Sequence, residues 1–253
     1  MIRKLQNITN KLVPLGAILV LLLIWQGVCM AGIIPAFMLP APTDVIKAFI
    51  EDFELLMKNA GNTLVEAFVG LGFGILTGFI AAVLMDLSNF AYKALYPVLV
   101  VTQTIPTVAI APLLVLWFGY EMLPKVILVV IVTFFPVAVS LLDGFKSADP
   151  DTMQLMKTMG AGRMQTFFYI KLPQAIHPFF ASLKIAVSYA VVGAVISEWL
   201  GGFKGLGVYM TKVRKAYSFD KMFAVIFLIS AISLILMKIV DLIHKKCTPW
   251  EEE

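Results

Sequence analysis

The sequence predicts an all-α integral membrane protein with six transmembrane helices, and three observations carry that prediction. Apolar residues make up 60% of the 253 residues and charged residues only 14%, against about 45–50% and about 25% in soluble domains. Mean hydropathy is +0.91. The apolar residues also come in long charge-free runs that do not alternate, so they read as helices rather than barrel strands. The same composition excludes a disordered chain. Two cysteines in the whole sequence exclude a disulfide scaffold. A net charge of only +4, with no dense run of Lys and Arg, argues against a nucleic-acid partner.

A spanning helix needs roughly 20 mostly apolar residues. The first charge-free run covers residues 12–43. Arg3 and Lys4 precede its core, as in a signal peptide, but the core is too long and no A-x-A site follows, so it reads as a true span. The loop after it, residues 31–62, holds Leu39-Pro40-Ala41-Pro42. Thr43 is a predicted helix cap. Val45, Ile46, Phe49, Ile50, Phe53 and Leu56 then recur at helical spacing, which predicts an amphipathic helix. The second run, residues 67–85, carries Gly70, Gly74 and Gly78, a spacing that lets two helix backbones approach closely, within or between subunits.

The third run, residues 94–120, contains Gln103 and Thr104 just ahead of Pro106, with Pro112 beyond. Both prolines are expected to kink or break it. The fourth run covers residues 126–142, and the fifth lies near residues 179–200. The sixth, residues 222–237, is short, and the flanking Lys221 and Lys238 can snorkel to the headgroups. Glu66 and Glu198, near span ends, are expected at the interface. Of the twenty Lys and Arg, twelve fall on the inside if the N-terminus is cytoplasmic and eight on the outside, Lys125 among them. That favours N-in, C-in. The exception is an outside loop with Lys212, Arg214 and Lys215, which suggests a function for that loop. Cys29 and Cys247 then sit a bilayer apart, as inert thiols.

The chain has no phosphate loop of the G-x-x-x-x-G-K-[ST] kind, so any ATP chemistry must come from another chain. His177 and His244 have no metal-ligand spacing, and no G-x-S-x-G is present. No enzymatic role, cofactor or metal is expected. A self-sufficient secondary transporter or channel is the alternative, but the deep span interiors show no charge network to support it. The polar inside segment, residues 143–178, reads as a helix over 153–159, a break at Gly160 and Gly162, and a second short helix over 163–171 ended by Leu172-Pro173. Such a projection is a natural docking element for a soluble partner.

This segment resembles the coupling loop of permease subunits in ATP-binding-cassette importers. The family pattern is E-A-A, three residues, Gly, nine residues, Ile, one residue, Leu-Pro. Here Gly160, Ile170, Leu172 and Pro173 match it, with Ala161 after the glycine, while Gln154, Leu155 and Met156 replace E-A-A. Further stretches resemble the nitrate/sulfonate/taurine branch, which includes carriers of thiamine-precursor pyrimidines. These are Leu39-Pro40-Ala41-Pro42, Thr104-Ile105-Pro106, and Glu198-Trp199-Leu200-Gly201 with Gly205-Leu206-Gly207.

The resemblance implies a five-helix permease core within residues 63–240, an accessory N-terminal span within 1–62, and a cytoplasmic tail at 241–253. It implies a bacterial inner-membrane location and alternating access. As partners it implies a second permease copy, two cytoplasmic ATP-binding subunits and an extracytoplasmic solute-binding protein. The ATPase-coupling residues would be Gln154, Leu155, Met156, Gly160, Ala161, Ile170, Leu172 and Pro173. From the residues themselves, Gln103 and Thr104 are the candidates for the substrate path, because irregular backbone at membrane depth survives where it lines a cavity or is buried in protein. They carry no charge, so for an anion Lys212, Arg214 and Lys215 would be the nearest positive groups by topology.

Overall fold

The computed structural model describes residues 2–35 and 37–248, apart from the side chains of residues 2–12, 14 and 15. Arg3, Lys4 and Lys11, on which the orientation partly rests, and the tail end at 249–253 lie outside the described residues or side chains. In chain order the helices are α1 (Ile2–Met30), α2 (Pro42–Glu51), α3 (Phe53–Leu87), α4 (Asn89–Thr104), α5 (Thr107–Phe118) and α6 (Met122–Lys146). They continue as α7 (Pro150–Thr158), α8 (Arg163–Thr166), a π-helical turn (Phe167–Lys171), α9 (Leu172–Gln174), α10 (Ile176–Leu200), α11 (Leu206–Lys215) and α12 (Phe219–Cys247). Among the described residues there is no strand. α3, α6, α10 and α12 are each long and apolar enough to cross a membrane. The pair α4 and α5, bent by 99°, makes a fifth candidate, and α1 contributes the apolar stretch Gly16–Met30. That set is consistent with six spans.

The chain packs as two units. One comprises the residues up to Met57 together with Tyr209–Leu228. In it Trp25 lies 5.8 Å from the Phe223 ring and 5.9 Å from that of Phe227, centroid to centroid. The predicted cap at Thr43 is not formed: the N-cap is Ala41, two residues earlier, and α2 starts at Pro42, whose missing N–H costs a first turn nothing. The predicted amphipathic helix is also cut at Asp52, which leaves the helical region at φ −100°, ψ 15°. Asp52 accepts hydrogen bonds from the Tyr209 hydroxyl and, at 2.8 Å, from Lys221 Nζ. Burial pushes the Asp52 carboxyl up, but the Lys221 and Tyr209 hydrogen bonds outweigh it and hold the group below the usual carboxylate range. Burial and the neighbouring carboxylate raise the Tyr209 phenol.

The other unit comprises Lys58–Val208 and the chain from Ile229 onward. Its centre is the contact between α6 and α10. Lipid tails are as apolar as these side chains, so close packing rather than hydrophobic transfer holds such helices together. Glycines set the approach. A Cβ on Gly193 would stand 3.1 Å from Val132 Cγ2. Gly70, Gly74 and Gly78 all face α6: a Cβ on Gly74 would strike Thr133 Oγ1, and one on Gly78 would stand 3.0 Å from the Phe134 carbonyl oxygen. The core over this contact includes Leu71, Val129, Val137, Leu141, Phe145 and Val187.

Candidate functional site

The third span is interrupted once, at Ile105 and Pro106, which are both extended. Pro106 has no N–H for the Thr102 carbonyl four residues back, so the helix has no bond to continue with. Pro112, expected to kink or break the span, does not break it and sits inside α5, and Pro97 sits inside α4. The break opens a cleft of about 340 Å³. Its lining runs from Thr102 through Thr107 and adds Ile131 and Val132 of α6 and Tyr189, Val192, Gly193 and Ile196 of α10. No charged side chain lines it. Thr102 and Thr104 spend their hydroxyl hydrogens on the Leu99 and Val101 carbonyls, at 2.6 and 2.8 Å. Gln103 is exposed, and its side chain makes no hydrogen bond among the described residues. The cleft therefore offers an amide with both a donor and an acceptor, three hydroxyl oxygens and the face of Tyr189.

The segment expected to dock the ATPases, residues 143–178, differs from the expected helix–break–helix at its end. Leu172-Pro173 does not end it. Pro173 sits in the first turn of α9, where its lost N–H is harmless, and the chain runs on through Ala175 into α10. A π-helical turn precedes it, in which Ile170 is buried. α7 begins on Asp149, whose carboxylate accepts from Thr152 N–H at 3.0 Å and from the Thr152 hydroxyl at 2.6 Å. Those bonds hold the Asp149 carboxyl below its usual range. α7 ends where Ala161 N–H donates to the Met156 carbonyl and Gly160 N–H to that of Lys157, with Gly160 at φ +79°. No residue of α7 is buried. Gln154, Leu155 and Gly160 are exposed, Met156 and Ala161 are half-buried, and Met159, Met164, Phe168 and Tyr169 stand out beside them. A cleft of about 760 Å³ runs below, lined by Gln154, Lys157, Ala161, Arg163, Asp86 and Lys171 among others. Lys171 Nζ closes its wall on Asp86 at 2.6 Å.

A third polar feature escaped the sequence reading. Glu198, expected at the interface, is 1% exposed, and Glu66 is buried as well. Lys125, expected in an outside loop, is buried in the first turn of α6 and pairs with Glu66 at 2.6 Å. Glu198 accepts from Thr63 Oγ1 at 2.8 Å and from Gly207 N–H at 2.6 Å. Leu206 N–H donates to Thr63 Oγ1, and Gly205 N–H to Asn59 Oδ1, both at 2.9 Å. A Cβ at Gly205 would strike the Glu198 carboxylate, so the glycines of this loop are the room the carboxylate occupies. A charge network therefore does exist, at the helix ends rather than mid-span. The signal for it was the pairing of Glu198 with the bare backbone of Gly205 and Gly207, because a buried carboxylate needs donors and glycines present them. Among the described residues no group of three or more His, Cys, Asp or Glu is placed to hold a metal ion.

Comparison with known proteins gives the family. Residues 74–249 match the family model for binding-protein-dependent transport system inner membrane components. The chain is 39% identical to a probable ABC transporter permease protein of Haemophilus influenzae, over 92% of its own length and 95% of the relative's. It is 34% identical to the formylaminopyrimidine transport permease protein ThiX of Halalkalibacterium halodurans, over 93% and 94% of the two lengths. In fold it is similar to the inward-facing MetNI methionine ABC transporter, with a TM-score of 0.68 at 18% identity, covering 78% of this chain and 97% of that one.

Proposed function

The chain belongs to the binding-protein-dependent inner-membrane components of ABC importers, and from that premise we propose that it carries a small neutral heterocycle of the pyrimidine kind through the cleft at residues 102–107. It is a multi-pass, non-catalytic permease subunit, and ATP hydrolysis belongs to a separate subunit. The family implies an ATP-binding subunit and a solute-binding protein as partners. In the proposed assembly two copies of this chain face each other, and two ATPases dock on α7 through Gln154, Leu155, Met156, Gly160 and Ala161. Ile170, Leu172 and Pro173 tie that surface to α10. Closure of the ATPases then moves α7 and switches access to the cleft from one side of the membrane to the other.

The observation that carries the substrate class is the absence of charge in the cleft lining. An anion brought to this depth needs a compensating cation, and none lines the cleft. A neutral ring with amino and ring-nitrogen groups needs only what is there: the Gln103 amide, the threonine oxygens and an aromatic face. That one relative is named for formylaminopyrimidine transport supports the same class. The test is uptake of a labelled aminopyrimidine by cells carrying the complete transporter, with unlabelled competitors. Neutral pyrimidines should compete, and taurine and nitrate should not. Gln103→Leu should cut uptake at least about tenfold, the scale of one lost buried hydrogen-bonding group, with complex yield and Tm unchanged. Competition by the anions alone would overturn the substrate class. Loss of uptake in step with loss of stability would make Gln103 a structural clip.

A further inference from the structure

Gly72 is the exception in the glycine run of α3. Gly70, Gly74 and Gly78 make room for α6, but a Cβ on Gly72 would meet nothing within 4 Å. Gly72 is exposed, and a glycine inside a helix weakens it. What the missing side chain leaves open is an apolar groove of about 360 Å³. Gly72, Leu76 and Phe79 of α3 stand on one wall, Leu172, Ile176 and Phe179 on the other, and no polar side chain lines it.

The groove leads toward the cleft under α7. Asp86 of that cleft follows Phe79 of the groove by two turns, about 10 Å along the same face of α3. On the other wall the chain passes from Lys171 in the cleft to Leu172 in the groove. The cleft is cationic. Lys171 is taken by Asp86, whereas Lys157 and Arg163 are exposed and form no ion pair among the described residues. Lys157 lies in the last turn of α7 and complements that helix's dipole. Arg163 instead opens α8, the end of a helix where a cation is disfavoured. A positive charge kept against its local preference points to a negative one that meets it.

We propose that groove and cleft together bind one anionic phospholipid of the leaflet on the α7 side, with its phosphate between Lys157 and Arg163 and one acyl chain in the groove beside Gly72. Charge complementarity and the order of the two cavities select the occupant. A soluble anion has no use for the groove. A zwitterionic lipid brings an ammonium group, and the one carboxylate lining the cleft, Asp86, is already held by Lys171. Basic pockets between helices at a membrane surface take anionic headgroups by this same chemistry.

The test is native mass spectrometry of the complete transporter in detergent, titrated with dioleoylphosphatidylglycerol, with dioleoylphosphatidylcholine and inorganic phosphate as controls. Phosphatidylglycerol should be retained on the permease chain, phosphatidylcholine should not, and free phosphate should not displace the bound lipid. Gly72→Leu fills the groove with a better helix former, so Tm should hold or rise while lipid affinity falls at least about tenfold, the scale of two displaced methylenes. Joint Lys157→Gln and Arg163→Gln substitution should lower it roughly thirtyfold, the scale of two interfacial cations. Wild-type lipid affinity in both variants would overturn the proposal. Displacement of the lipid by free phosphate would overturn it too and make the cleft a site for a soluble anion. So would a joint variant that sheds its ATPases yet keeps its lipid, because the two cations would then belong to the docking surface. A Gly72→Leu transporter that comes apart into single permease chains would place a helix of the second copy in the groove and rule out the lipid there. None of these readouts involves uptake, so the substrate class stands or falls separately.

Discussion

α7 and α11 are short helices of 9 and 10 residues, and both close with the same pair of backbone hydrogen bonds. They differ in what holds them. α7 is held by its own sequence: Asp149 caps the start, Gly160 turns the end, and no side chain of the helix is buried. α11 is held from elsewhere in the chain. Its first amides are taken up by Thr63 and Glu198, and Tyr209 by Asp52. A locally made helix keeps its whole surface for a partner and can move as one piece. A helix bolted through a buried and a half-buried carboxylate holds a surface in a set place. The difference suits α7 to the coupling role proposed above.

The largest expected effect comes from removing the bolt. Glu198→Ala takes the 2.6 Å acceptor from the Gly207 N–H in a buried site, a loss of about 1–3 kcal/mol, while the Thr63 hydroxyl keeps the Asn59 carbonyl at 3.2 Å. We expect a fall of several degrees in the Tm of the purified protein, followed by tryptophan fluorescence. Glu198→Gln retains an acceptor oxygen and should lose less. If Glu198→Ala matched wild type, the contrast between a bolted and a local helix would collapse.

The second effect is large in function and small in stability. A Cβ added to Gly160 would meet nothing within 4 Å, so space is not the reason for a glycine there. The reason is φ +79°, where a β-branched side chain strains the backbone by roughly 1–2 kcal/mol. Gly160→Val should therefore disturb the end of α7 without touching the core. Uptake per ATP hydrolysed should fall about tenfold if the turn shifts by that energy, with Tm within a degree or so of wild type. Gly160→Asn, which tolerates the left-handed region, should fall between. Coupled uptake at the wild-type level in Gly160→Val would remove α7 from the coupling role.

How much of this was legible in the sequence follows from the same contrast. Features made locally read well. The spans announce themselves as charge-free runs, Pro106 breaks the third span, and Gly160 ends α7 where its spacing put it. Features made over long range did not read. Lys125 looked like an outside lysine and Glu66 and Glu198 like interfacial carboxylates, because a sequence does not show that residues 66 and 125 meet at 2.6 Å. Reading proline as a stop failed at Pro173, and of the two outcomes open for Pro112, a kink or a break, the break does not occur. Pro112 and Pro173 both lie within helical segments, where a first-turn position or neighbouring helices can accommodate the lost donor. The φ of +56° at Tyr217 could not be read at all, since nothing in its neighbours requires a positive φ without the Val213 to Ser218 closure.

A smaller effect tests the second support of α11. The Asp52 carboxyl sits below its usual range, because Lys221 and Tyr209 bond it against the pull of burial. A group whose folded value is depressed stabilises the fold above its unfolded value, about 3.9 for an aspartate in a free peptide. That contribution fades as pH falls through the depressed value. The clasp should thus be intact at neutral pH and weaken only below about pH 4. Asp52→Asn should remove that acid-side component, and Tyr209→Phe should reduce it. Protease nicking near Tyr217, followed across the acid range, would report it. A clasp that loosened toward alkaline pH instead would contradict the assignment.

The smallest effect belongs to the α7 cap, and it separates charge from geometry. Asp149 is fully exposed, and its depressed value comes first from the Thr152 hydroxyl and then from the Thr152 amide. By the sign worked out for Asp52, its contribution also disappears only in acid. Asn offers a side-chain oxygen to the same donors and is as good a cap as Asp, so Asp149→Asn should leave the start of α7 unchanged at neutral pH and remove its acid sensitivity. Asp149→Ala removes the acceptor itself, freeing the N–H of Thr152. Because α7 buries no side chain, that loss has no core to propagate through and should not reach global Tm. It should appear as faster hydrogen exchange confined to the first turn of α7, with the amides of α11 at wild-type rates. Faster exchange in α11 as well would mean that the two helices share one cooperative unit, and the local character of α7 would be lost.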